Sequence, residues 1–156
     1  MRNTQTATHF DVLKDSTLHT FGAICGSEPV ARDASESHDH NGGVCGIVSM
    51  VGDVSLSLSL TFPPETAEQI AVKFSGFDIP YDSEDMNDVI GELANTMAGD
   101  VVARLDRRGV KVKMSLPTVA RGEGLEIGQP GASDNVRIQF DLPQGPMLVG
   151  LAVGRS

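Results

Sequence analysis

Apolar positions recur along this chain with two periods, and the places where the period changes outline its elements. Residues 7–25 carry Phe10, Leu13, Leu18, Phe21 and Ile24 at roughly helical spacing, which predicts an N-terminal helix ended by Gly26. Residues 31–42, ARDASESHDHNG, are polar throughout and predict a loop or a solvated hairpin tip. The period then shortens to two. Residues 43–51 and 53–62 read as consecutive strands joined at Gly52-Asp53, and in the second Val54, Leu56, Leu58 and Leu60 alternate with Ser55, Ser57 and Ser59. Such alternation puts one face of the strand in a core and the other in water, so the serine row needs no function to explain it. Pro63-Pro64-Glu65 opens a helix that runs to about Phe74, with proline in the first turn, where no intrahelical donor is lost.

The connecting segment SGFDIPYDSED supplies Asp82 or Ser83 as the cap of a much longer helix, followed by acidic first-turn residues. At about 100° per residue, Met86, Ile90, Leu93, Ala94, Met97, Val101 and Leu105 form one apolar stripe along it. Gly109 is its stop. Val110, Val112, Met114 and Leu116 then alternate with Lys111, Lys113 and Ser115, predicting a strand over 110–116. Residues 121–133 are loop-like, rich in Gly and Pro, and 135–142 with 146–154 predict a final strand pair around Pro143-Gln144-Gly145. No repeat of solenoid length interrupts this order. Helix, strands, two helices, strands predicts an α+β fold, a mostly antiparallel β-sheet packed by the long helix and further helices. At 156 residues, 40% of them hydrophobic, the chain fits one domain over 1–156 with a sizeable core.

Opposite the apolar stripe of the long helix lies a second stripe: Asp88, Glu92, Asn95 and Gly99. Glu92 and Asn95 should face outward together. Beside them Gly91, Ala98 and Gly99 are small, and a glycine in a helix interior costs about 1 kcal/mol relative to alanine. Small neighbours would let another surface approach the pair closely. On spacing alone, though, acids and amides opposite an apolar stripe are the outer face of any surface helix.

Charge and composition narrow the function classes. A formal charge of −9 opposes nucleic-acid binding, which is built on neutralising phosphates with Lys and Arg. Arg104, Arg107, Arg108, Lys111 and Lys113 cluster near the end of the long helix, where cations favour its dipole. No apolar run approaches the length that spans a bilayer, and MRNTQTATHF lacks the apolar core of a signal peptide, so a cytoplasmic protein without membrane contact is expected. Cys25 and Cys45 are too few for a disulfide framework and predict reduced, buried thiols, neither of them a nucleophile. Asp33, Glu36, His38, Asp39 and His40 share the polar segment. A metal-dependent enzyme using His38, Asp39 and His40 ranks far below the other readings, because two histidines on a loop lack the fixed ligand set and outer shell a metal site needs, and no metal is expected.

The polar stripe becomes specific through its surroundings. Asp88-x-x-x-Glu92-x-x-Asn95, embedded in DVIGELANTMAGDV and followed 22 positions after Asn95 by Pro117 in SLPTV, closely resembles the signature of the CheC/CheX/FliY chemotaxis phosphatase family. The strand, turn, strand and proline-opened helix of residues 46–74 resemble the same family. The match is close over roughly 43–120, looser over the C-terminal strands, and one of outline over the first 40 residues. One Glu-x-x-Asn is present where CheC-type members carry two, so the chain is CheX-like.

That resemblance implies a phosphatase that removes the aspartyl phosphate of a CheY-like response regulator receiver. It implies that Asn95 orients the attacking water and that Glu92 docks to the receiver's lysine. A neutral carboxamide suits the first task, since its oxygen accepts and its nitrogen donates without becoming charged, as does the glutamine that positions water in small GTPases. A carboxylate one turn away suits the second through a charge-assisted bond. Asp88 matches the motif's leading acid and, with Gly91 and Gly99, is a candidate for interface or support; Pro117 is structural. No cofactor is expected on this chain, with Mg2+ carried by the receiver, and a homodimer is expected. The alternative is a non-enzymatic receiver-binding or scaffold module, since the resemblance extends to the middle domain of the switch protein FliM, which lacks the Glu-x-x-Asn pair.

Overall fold

The computed structural model describes residues 4–32, 42–122 and 132–154. Helix α1 (Thr4–Cys25) leads to β1 (Val30–Arg32), then to the hairpin of β2 (Gly43–Gly52) and β3 (Ser55–Phe62). Helices α2 (Pro64–Ser75) and α3 (Glu84–Arg107) follow, then β4 (Val112–Met114), β5 (Thr118–Gly122), β6 (Ala132–Leu142) and β7 (Gly145–Gly154). All seven strands belong to one antiparallel sheet in the order β1-β6-β7-β3-β2-β4, with β5 pairing β2 as well. The α+β class and the mostly antiparallel sheet are as expected.

The core forms where the period-two faces of the strands meet the helical stripes. Val44, Val48 and Met50 of β2, Leu56, Leu58, Leu60 and Phe62 of β3, and Met147, Val149 and Leu151 of β7 are buried against the helices. Phe21 of α1 reaches Phe62 with ring centroids 6.1 Å apart. The serines of β3 are half-buried on the opposite face of the sheet.

Several expectations shift. The N-terminal helix begins at Thr4, and its packed side uses small hydroxyl residues: Ser16 and Thr17 are buried, whereas Phe10, Leu18 and Ile24 are only partly so. Thr17 can go inside because its hydroxyl donates to the Leu13 carbonyl at 2.7 Å, which satisfies it locally. The polar segment 31–42 reads as a loop or a solvated hairpin tip, and its first two residues, Ala31 and Arg32, belong to β1, which pairs with β6 through Val30↔Asp141 and Arg32↔Gln139. The strand over 110–116 shortens to β4, and a further strand, β5, covers 118–122. Among the described residues no helix is long and apolar enough to cross a membrane.

Candidate functional site

Helix α3 is held from both ends and from below, and each restraint turns the same face outward. Ser83 caps it in an extended conformation, its hydroxyl accepting from the Met86 amide at 3.1 Å, and Glu84 and Asp85 occupy the electropositive first turn. Arg104 and Arg107 lie in the last turn, and Gly109, at φ 82°, closes the chain back on the Asp106 carbonyl. Below, all seven residues of the predicted apolar stripe are buried, joined by Val89 and Ala98. The helix comes unusually close to β2: a Cβ built on Gly46 would stand 2.9 Å from the Ala94 Cβ and 3.0 Å from the Ile90 carbonyl oxygen. Gly46 was not singled out in the sequence, although a glycine inside a strand pattern is a signal of close backbone approach.

With Met86 to Leu105 facing the sheet, Asp88, Glu92 and Gly99 are exposed and Asn95 is half-buried. Glu92 and Asn95 stand one turn apart, about 4.5 Å along the axis. Among the described residues, Asp88, Glu92 and Asn95 make no side-chain hydrogen bond or ion pair. A rigid helix therefore presents a carboxylate and a carboxamide whose bonding capacity is unspent.

The small residues beside the pair prove unlike one another. Gly91 is buried under the chain's own edge: a Cβ there would lie 3.5 Å from Pro117 Cγ and 3.6 Å from Val119 Cγ2. Pro117 thus packs on the residue before Glu92, which gives the expected structural role a definite contact. Gly91 and Ala98 are covered and offer no opening to a partner, contrary to the idea that all three small residues serve close approach; Gly99 has nothing within 4 Å of a Cβ position and remains open.

Arg121 is a positioning residue that the sequence did not single out. From β5 its guanidinium donates to the Ser83 carbonyl at 3.2 Å and to Asn87 Oδ1 at 2.7 Å, and it lies 4.9 Å over the Tyr81 ring. It ties the first turn of α3 to the sheet edge. At the start of a Gly-rich stretch it read as a loop residue, and no periodic signal marks it. Five residues beyond Asn95, Asp100 accepts from Arg104 at 2.7 Å and lies 3.1 Å from His19 Nδ1 of α1. Burial alone would raise the Asp100 pKa, but hydrogen bonds from Arg104, Ser16 and His19 outweigh it and hold the carboxyl below its usual range.

The other candidate chemistries find less. Cys25 and Cys45 are free and buried, and desolvation pushes both thiols up, away from the reactive thiolate. The histidine pair His38 and His40, with Asp33, Glu36 and Asp39, lies outside the described residues. Among the described residues no group of three or more His, Cys, Asp or Glu is arranged to hold a metal ion. Concavities of about 440 and 530 Å³ lie beside His19 and Gly22 of α1 and beside Gln69 and Val72 of α2, and neither is lined by Glu92 or Asn95.

Comparison with known proteins gives a consistent result. The family described as chemotaxis phosphatase CheX matches residues 44–141. The chain is 28% identical over 120 residues, 75% of its length and 77% of the relative's, to the CheY-P phosphatase CheX of Thermotoga maritima. A CheC-like superfamily protein from a Shewanella species superposes with a TM-score of 0.83 at 23% identity, covering 99% of this chain and 100% of that one. CheX from the CheX-CheY-BeF3-Mg2+ complex of Borrelia burgdorferi superposes with a TM-score of 0.76 at 22% identity, covering 93% and 97%.

Proposed function

The chain belongs to the CheX family of chemotaxis phosphatases, and we propose that it hydrolyses the aspartyl phosphate of a CheY-like receiver with Asn95 as the water-positioning group and Glu92 as the docking group. The observation that carries this reading is the outward, unpaired Glu92–Asn95 face of a helix fixed at both ends. Its partner class follows that of the Thermotoga relative, a CheY-P phosphatase, and the Borrelia complex with CheY.

The chemistry asks little of the phosphatase beyond placement. An acyl phosphate is already activated, and the receiver brings its own Mg2+. The new bond joins the water oxygen to phosphorus as the bond from phosphorus to the aspartyl oxygen breaks, leaving a free carboxylate and inorganic phosphate. Asn95 accepts a hydrogen bond from that water through its amide oxygen and holds it in line, while its NH2 donates to a phosphoryl oxygen. Glu92 takes the receiver's lysine in a charge-assisted bond, which fixes the helix in register over the phosphate. Three rigid supports make that placement accurate: the Gly46–Ala94 approach, the Ser83 cap and Pro117 on Gly91.

Asn95→Ala is the test. With a phosphorylated CheY-like receiver, it should slow phosphate release at saturation by about 100-fold, the scale of a lost positioning contact. Glu92→Gln should chiefly raise KM. Unchanged turnover in Asn95→Ala would sink the mechanism. Tight receiver binding by the wild-type protein with no accelerated phosphate loss would replace it with the scaffold reading.

A further inference from the structure

Strands β4 and β5 run in the same direction along one edge of β2, and between them the edge carries one residue more than its partner. Met114 pairs with Met50 and Thr118 with Ile47, so Ser115, Leu116 and Pro117 stand opposite only Ser49 and Val48. Ser115 keeps the ladder, donating its amide to the Ser49 carbonyl at 2.8 Å and accepting from the Ser49 amide on its hydroxyl at 3.1 Å. Pro117 turns inward onto Gly91. The surplus is a bulge, and it re-aims Leu116, which is 87% exposed, more than any other large hydrophobic among the described residues. The alternation over 110–116 that groups Leu116 with Val112 and Met114 fails because of that extra residue.

A leucine in open water on a sheet edge is an unusual use of a bulge. Its neighbour Pro117 packs on Gly91, and Gly91 precedes Glu92, so Leu116 is one residue along the chain from a contact that borders the Glu92–Asn95 face. We propose that Leu116 is a docking residue that seats against an apolar side chain of the phosphorylated receiver beside its acyl phosphate. The inference rests on the reading of α3 as the receiver-engaging face. The occupant follows from continuity: a body that brings a phosphoryl group to Asn95 and a lysine to Glu92 must also cover the edge packed on Gly91. Glu92 then supplies charge matching and Leu116 supplies apolar burial, in the arrangement of a buried anchor beside a polar contact that interfaces favour.

The test is steady-state phosphate release over a range of concentrations of a CheY-type receiver phosphorylated with acetyl phosphate, then desalted. Leu116→Ser should raise KM by about 10-fold with kcat within about 2-fold, Leu116→Met should restore KM, and Val51→Ser, at a similarly exposed apolar residue on the β2–β3 hairpin, should leave both constants alone. Because Leu116 is exposed, its variants should melt with the wild-type protein and keep its sedimenting mass. An unchanged KM in Leu116→Ser, while Asn95→Ala loses turnover, overturns the docking role and leaves the site intact. A fall in kcat alone assigns Leu116 to shaping α3, and a changed mass assigns it to a contact between copies; both overturn the proposal. If Asn95→Ala keeps full turnover, the reading of α3 falls and this inference falls with it.

Discussion

At the scale of single residues, Gly91 and Gly99 look alike in the sequence, both small and both beside the polar stripe. The fold separates them because Pro117, remote in sequence, returns over one and leaves the other bare. Helical periodicity made the outward placement of Glu92 and Asn95 legible, since it needs only neighbours along the helix. It could not reveal a contact made from another element. The difference predicts different consequences for the same change. Gly91→Ala meets ordinary contacts at 3.5 Å or more and should be tolerated. Gly99→Ala fills empty space in a helix interior and should stabilise by about 0.5–1 kcal/mol, the loss of a glycine's excess chain entropy. If bare surface at Gly99 serves the receiver's approach, that more stable variant should nonetheless show a raised KM. Melting curves beside receiver titrations measure both, and an unchanged KM would remove Gly99 from the interface.

At the scale of elements, legibility followed the strength of each period. Strands β2 and β3 and helices α2 and α3 repeat apolar residues often enough to declare themselves, and Ser83 and Gly109 mark the ends of α3 by their chemistry. Strands β1 and β5 did not declare themselves. Val30-Ala31-Arg32 is exposed throughout and Thr118–Gly122 has no fully buried position, so neither carries alternation. Arg121 and Asp100 join elements by polar contacts that leave no periodic trace. For Asp100 the consequence is a pH dependence whose sign follows from its depressed pKa. A carboxylate held below its unfolded value, about 3.9, stabilises the fold above that value and loses its contribution as the pH falls through the folded pKa. Asp100→Asn should therefore melt about 2–4 °C below the wild-type protein at pH 6, with the gap closing as the pH falls below the ordinary carboxylate range. Thermal scans across that range decide it; a gap that persists in acid would mean that Asp100 acts through packing, not through charge.

At the scale of the whole molecule, the local hairpins β2–β3 and β6–β7 could be read from the chain, but their union could not. That union is β3 against β7, pairing Ser55 with Gly154 and Thr61 with Leu148 across most of the sequence, and only long-range packing selects it. The resulting sheet has two edges, and they differ in what they can accept. The β4–β5 edge contains Pro117, which has no amide to donate, carries the bulge, and borders the face assigned to the receiver. The β1 edge is short but plain, with Val30 63% exposed beside Ala31 and Arg32. A homodimer that leaves α3 free for catalysis should therefore join through β1, whose outer backbone, unpaired among the described residues, can meet its copy across a two-fold axis. Sedimentation should give about twice the 16.5 kDa of one chain. Val30→Asp, placing like charges opposite each other at that junction, should shift the protein toward the monomer while leaving turnover per chain intact. A wild-type protein that sediments as one chain would end the homodimer expectation, and a Val30→Asp variant that stays paired would move the junction away from β1. Turnover that fell with dissociation would instead mean that each site depends on the second copy, which the placement of β1 argues against: β1 is at the edge of the sheet remote from β2, β4 and β5, on which α3 packs, with β6, β7 and β3 between.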